Sequence, residues 1–214
     1  MAEYELYCFA QSGNAYRVAL MLDLIGADWA PVWVDFFAAG QTRTPDYRSD
    51  INEMGEVPVL RHGDRKLSQS SVCLTYLARR SGKLLPQGEE QELEAWRWIV
   101  FDNQKVNGML GPYRFLRTLA KPPGDPAVLA FLEGRAKGAL AVVDKRLADR
   151  PWLLGEQPTI ADVSMCGYLY YPAEEFGFDI AASYPNIGAW LDRLKALPGW
   201  KHPYDLMPGH PLKA

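Results

Sequence analysis

The segment Val57-Pro58-Val59-Leu60, with Gly63-Asp64, Lys66-Leu67 and Gln69-Ser70 behind it, decides the fold. Valine and leucine suit a short strand, and a proline is tolerated where a strand begins because little ladder hydrogen bonding is lost there. Gly63-Asp64 has the turn chemistry of a hairpin, and Lys66-Leu67 starts a returning strand. From Ser68 to Ser81 the placing of Val72, Tyr76 and Leu77 on one face predicts a helix. The segment reads β-β-α.

Upstream, Tyr4 to Phe9 is short and aromatic-rich, and it runs into Ala10-Gln11-Ser12-Gly13-Asn14, a turn cluster. Val18, Leu22 and Ile25 then recur at helical spacing until Gly26 stops them, and Ala30 to Phe36 reads as a second strand. A β-α-β unit of this kind places its two strands parallel. Residues 38–53 are polar and small, a loop with room for one helical turn.

Downstream, Leu84 to Gly88 is the linker, and the period beyond it is helical: Glu89 to Leu119 with a kink near Gly108 to Pro112, Val128 to Leu147, Thr159 to Tyr171 and Ile187 to Leu197. The expected boundaries are an α/β domain over 1–82, a linker over 83–88 and a helical domain over 89–214.

The 214 residues are 48% hydrophobic, enough for packed cores. Lys+Arg of 23 against Asp+Glu of 26 leaves a net charge of -3, so no field of one sign favours nucleic acid or an anionic membrane. No run approaches the ~20 apolar residues of a membrane span, and residues 1–26 lack the pattern of an export signal. The expected location is the cytoplasm and the expected partner a small molecule. Cys8, Cys73 and Cys166 are odd in number and scattered, and His62, His202 and His210 do not cluster, so neither a disulfide framework nor a metal site is expected.

The order Ser12-Gly13-Asn14, then Asn52-Glu53-Met54-Gly55-Glu56-Val57-Pro58-Val59-Leu60, then Leu67-Ser68-Gln69-Ser70 resembles a cytosolic glutathione S-transferase of the bacterial, serine-type, theta/zeta-like kind. The likeness continues through Leu153-Leu154-Gly155-Glu156-Gln157-Pro158-Thr159-Ile160-Ala161-Asp162 and Tyr184-Pro185-Asn186-Ile187, so it covers almost the whole chain. It implies a thioredoxin-like glutathione-binding domain followed by a C-terminal α-helical bundle, with the site in the cleft between them. It also implies a homodimer, with no cofactor beyond glutathione as co-substrate and no metal.

Under this resemblance Pro58 is cis, and the backbone of Val57 pairs with the cysteinyl part of glutathione. Ser70 and its helix N-terminus suit the γ-glutamyl carboxylate, since free N–H groups and the helix dipole favour an anion. Gln69 offers its amide to the same end; an acidic residue is common there in the family, and glutamine weakens the charge pairing with the peptide's α-amino group. Gln41 and Arg43 lie where the family often contacts the glycine carboxylate, although Arg43 also suits a solvated loop.

Ser12 stands where the family keeps its thiol-activating group. Asn14 competes with it, because an amide two residues on can donate to the same sulfur; as an alternative, Asn14 caps the following helix. Cys8 precedes Phe9 within the strand and reads as a small buried residue, with no C-x-x-C partner for a dithiol mechanism. Trp96, Val100, Asn103, Asn107 and Leu110 recur at helical spacing. Three destinations fit that stripe: a co-substrate cleft shared with Phe9 and Tyr113, a dimer interface, or the core. Thr159 with Asp162 forms a capping box. The expected reaction joins the glutathione thiolate to an electrophile; the alternatives are a glutathione-dependent disulfide or peroxide reductase and a non-catalytic binding protein on the same fold.

Overall fold

A computed structural model describes residues 2–212. The chain divides into two compact units: residues up to Lys83 together with those from Leu197 onward, and Leu84–Ala196.

The first unit runs β1 (Tyr4–Cys8), α1 (Gly13–Ile25), β2 (Trp29–Trp33), a 3-10 turn at Gln41–Arg43, α2 (Pro45–Asp50), β3 (Val59–His62), β4 (Arg65–Ser68) and α3 (Ser70–Ser81). The sheet order is β2-β1-β3-β4, with β1 and β2 parallel and β3 antiparallel to both β1 and β4. This is the thioredoxin-like arrangement. The parallel pair follows from the α1 crossover, and the hairpin places Leu6 of β1 opposite Leu60 of β3, both fully buried.

Gly26 ends α1 in the left-handed conformation at φ 73, where its N–H reaches the Asp23 and Leu22 carbonyls. Helices α1 and α3 pack on each other and on the sheet. Burial of α1 extends around the helix between Ala15 and Leu22, wider than the stripe of Val18, Leu22 and Ile25. Each large aliphatic side chain there contributes about 1.5 to 3 kcal/mol. The inner face of α3 is Cys73, Leu74, Leu77 and Ala78, whereas Val72 is 45% exposed. Leu77 belongs to both the expected and the observed face, and the buried face is turned toward Cys73, Leu74 and Ala78.

The second unit contains α4 (Gly88–Phe101), α5 (Asn107–Arg114), α6 (Pro126–Arg146), α7 (Ile160–Met165), the short helices α8 (Ala173–Phe176) and α9 (Ile180–Ser183), and α10 (Pro185–Lys195). The long helical stretch is interrupted by π-helical turns at Asp102–Val106 and Phe115–Leu119, so the breaks flank the segment from Gly108 to Pro112 rather than falling within it. A π turn inserts a residue and rotates everything after it. The sequence stripe is therefore divided: Trp96 and Val100 are 41% and 47% exposed, and Leu110 is fully buried.

The capping box forms at the start of α7. The buried Asp162 carboxylate accepts from the N–H groups of Leu153 and Thr159, both at 2.9 Å, and from Trp190 Nε1 at 3.0 Å. The second unit ends before the C-terminus. Helix α11 (Pro203–Leu206) and the residues around it belong to the first unit, held by Ala10 N–H donating to the Pro208 carbonyl at 2.7 Å, Tyr16 Oη to the Lys201 carbonyl at 3.0 Å and Lys201 Nζ to Asp23 at 2.7 Å.

Candidate active site

A small pocket of about 30 Å³ is lined by Asn14, Glu56, Val57, Pro58, Gln69 and Ser70. Three separate segments meet there: the first turn of α1, the approach to β3 and the start of α3. The Val57–Pro58 peptide bond is cis. Neither the N–H nor the C=O of Val57 has a backbone partner among the described residues. Ser70 is only 6% exposed, and its hydroxyl has no partner among the described residues.

Gln69 precedes α3 at φ 63 and ψ 110 and makes no side-chain cap. A non-glycine residue in that region carries a cost of order 1 to 3 kcal/mol, and such residues gather at ligand sites. The Gln69 amide instead donates to Glu56 Oε2 at 3.1 Å and to Met54 Sδ at 3.2 Å. The serine of the Gln69-Ser70 pair is therefore not the cap: it is the first helical residue, and the start of α3 borders the pocket.

Ser12 is the N-cap of α1: its Oγ accepts from Ala15 N–H at 3.2 Å, and it is 6% exposed. Accepting there leaves the hydroxyl proton free to be donated elsewhere. Asn14 is not the cap but lies in the first turn, where its Oδ1 accepts from the buried Arg17 guanidinium. Arg17 and Glu56 were not singled out by sequence. Arg17 stands three residues after Asn14 on the same helical face, and Glu56 directly precedes Val57.

Gln41 and Arg43 are not among the residues lining this pocket. Gln41 Oε1 accepts from Asp35 N–H at 3.0 Å and fastens its own loop, while exposed Arg43 stands 5.7 Å from the centre of the Phe36 ring. A polar residue near a loop start closes hydrogen bonds within the loop as readily as it meets a ligand.

A larger apolar pocket of about 490 Å³ opens beside Phe9, which stacks on Phe36 at 4.9 Å and meets Phe37 edge-on at 5.7 Å. Its remaining wall includes Gln11, Trp33 and the C-terminal Pro208 to Leu212. Gln11 donates to the Gly209 carbonyl at 2.9 Å. Gly209 has φ 97, and a Cβ there would stand 3.0 Å from Trp33 Nε1, so glycine lets the tail cross the indole closely.

Two of the proposed cleft residues belong to the interior of the helical unit. Asn107 is 4% exposed; its amide donates to Asp102 and to the Ser164 carbonyl, and its oxygen accepts from Tyr168 N–H. Tyr113 is 2% exposed and donates to the Phe176 carbonyl at 2.9 Å. Buried polar groups are held where their hydrogen bonds are satisfied, and these two are. Asn103 is exposed, turned away from them by the π turn that contains it. Cys8 is fully buried, and burial pushes its thiol up to about 12, far from a reactive thiolate.

Two family models match: the N-terminal domain of glutathione S-transferase over residues 2–79, and its C-terminal domain over residues 126–193. A solved glutathione S-transferase from Xanthobacter autotrophicus Py2 is 33% identical with a TM-score of 0.82, over 92% of this chain and 95% of that one. Glutathione S-transferase F14 of Arabidopsis thaliana is 28% identical over 93% of this chain and 82% of its own length. Disulfide-bond oxidoreductase YfcG of Escherichia coli (strain K12) is 26% identical over 91% of each. Together with the thioredoxin-like sheet and the helical unit, these matches show that the chain belongs to the glutathione S-transferase family.

Proposed function

We propose that this protein is a glutathione transferase that joins the glutathione thiolate to a small electrophile. The observation that carries the reading is the pocket where Val57, Pro58, Gln69, Ser70 and Asn14 meet. Val57 offers a free N–H and C=O for strand-like pairing with the cysteinyl residue. The N-terminal end of α3, with its helix dipole, and the Ser70 hydroxyl take the γ-glutamyl carboxylate. Asn14 borders that same end of the peptide, which leaves Ser12 as the donor to the sulfur.

A free thiol of pKa ~8.5 is only about 3% ionised at neutral pH, and the thiolate is the nucleophile. A charge-assisted bond from the Ser12 hydroxyl, worth ~1.5 to 3 kcal/mol, lowers that pKa by about one to two units. The serine keeps its proton. The thiol proton passes to water, sulfur forms a bond to the electrophilic carbon, and with a halogenated aromatic the halide departs with the bonding pair. The apolar walls at Phe9, Phe36 and Phe37 suit an apolar electrophile.

The proposal extends to a cytoplasmic homodimer that detoxifies electrophiles and needs no cofactor beyond glutathione. No described helix is long and apolar enough to cross a membrane. Leu93, Trp96 and Val100 form an exposed apolar stripe on α4, at 65%, 41% and 47% exposure, which fits a subunit contact.

The second reading, glutathione-dependent disulfide reduction, is favoured by the name of the Escherichia coli relative. One preparation offered glutathione with a halogenated aromatic, and separately with a small disulfide, distinguishes the two. Conjugate formation supports the transferase; disulfide turnover without conjugation replaces it with the reductase, and turnover of neither leaves a binding protein.

A further inference from the structure

We infer that Glu56, in the pocket at the start of α3, holds the α-ammonium of the γ-glutamyl group. The inference rests on the glutathione reading above and assigns a partner to the peptide's α-ammonium, which that reading leaves unpaired.

Of the six residues lining the pocket, only Glu56 carries a formal charge. The start of α3 suits an anion: the helix is twelve residues long, and Ser70, 6% exposed, lines the pocket with an unpartnered hydroxyl. In an α-amino acid the carboxylate and the ammonium share one carbon. A carboxylate seated on α3 therefore brings its ammonium to the neighbouring wall, where Glu56 stands. Gln69, which lines the same pocket, is neutral, and its amide donates to Glu56 Oε2 at 3.1 Å. The glutamine thus orients a carboxylate supplied from the approach to β3 without cancelling its charge.

The main chain of Glu56 is fixed independently of its carboxylate. Its carbonyl accepts from Tyr47 Oη and from Asn52 Nδ2, both at 3.0 Å. Because the side chain is exposed, Glu56→Gln removes the charge and leaves the fold intact.

Calorimetric titration with two peptides tests the assignment: glutathione, and an analogue in which glutaryl replaces γ-glutamyl so that only the α-amino group is missing. Glu56→Gln should weaken glutathione by roughly three- to tenfold, the range of a rim ion pair with its solvent screening. It should leave the analogue's affinity unchanged, and the double variant Glu56→Gln/Gln69→Glu should recover most of the loss. Wild-type protein that binds glutathione while Glu56→Gln binds it equally well overturns the role of Glu56 alone, as does an equal loss for both peptides. Wild-type protein that binds neither peptide overturns the glutathione site itself and this assignment with it.

Discussion

Arg17 donates to the Oδ1 of Asn14 from one turn further along α1, and so determines which end of the Asn14 amide is left for the pocket. A guanidinium has only donors, so the oxygen must face it and the NH2 group is the free end.

Asn14→Asp uses this relationship. Aspartate keeps an acceptor for Arg17 but exchanges the free donor for a carboxylate oxygen facing the γ-glutamyl carboxylate. The dissociation constant for glutathione should rise about tenfold, ~1.4 kcal/mol, with little change in thermal midpoint. Unchanged affinity in a titration would remove Asn14 from the peptide site.

Asp162→Ala should unfold the protein more readily without impairing the chemistry. The change leaves the buried N–H groups of Leu153, Thr159 and Trp190 without their acceptor, at ~1 to 3 kcal/mol for each donor left unpaired. The expected outcome is a loss of about 3 kcal/mol or more in urea unfolding, with normal turnover per folded molecule. A large fall in turnover at unchanged stability would contradict it.

Glu94 should contribute to acid stability. Its carboxyl is held down to about 2, first by the hydrogen bonds from Arg97, then by Trp98 and the Arg146 charge. Because the folded value lies below the ordinary one of ~4.3, the contribution is present above that pH and is lost as pH falls toward 2. Arg97 is exposed and Glu94 is partly so, and solvent screening limits the contribution to about 1 kcal/mol. Glu94→Gln should flatten the stability profile between those limits; an unaltered profile would show that the cluster does not couple to folding.

Trp96→Glu places a charge in the exposed stripe on α4. If the stripe is a subunit contact, sedimentation should show a wild-type dimer and a folded monomeric variant. A wild-type monomer at micromolar concentration, or a variant that remains dimeric, would contradict the assignment.

The elements of the first unit were legible because local chemistry agrees with long-range packing there: Gly26 stops α1, Gly63 turns the hairpin, and Pro58 begins the strand segment. The π turn at Asp102–Val106 was not legible. An inserted residue leaves no sign in apolar spacing, so the stripe from Trp96 to Leu110 read as one face although it is two. The docking of Pro208 and Gly209 beside Ala10 and Gln11 was hidden for a different reason: it depends on backbone carbonyls, which any residue type supplies.

Much of the candidate site could be read from motif order, since Val57, Pro58, Gln69, Ser70 and Asn14 do converge. Glu56 and Arg17 were missed because a charged residue beside a strand or on a helix ordinarily faces solvent. The spacing of Arg17 from Asn14 allowed their pairing on one helical face without requiring it, whereas the meeting of Glu56 with Gln69 depends on the fold.

Ser12 carries the central claim, and its role as the cap of α1 governs how it is tested. Removing a serine cap in favour of alanine costs ~1 kcal/mol, whereas glycine costs only a few tenths, so Ser12→Gly separates thiol activation from helix stability. The decisive measurement is the thiolate absorbance of bound glutathione followed against pH. In the wild type the bound thiol should titrate about one to two units below its free value of ~8.5, and Ser12→Gly should return it to that value while glutathione still binds. A thiol pKa that is unmoved by Ser12→Gly but raised by Asn14→Ala would contradict the account and give the activating role to Asn14.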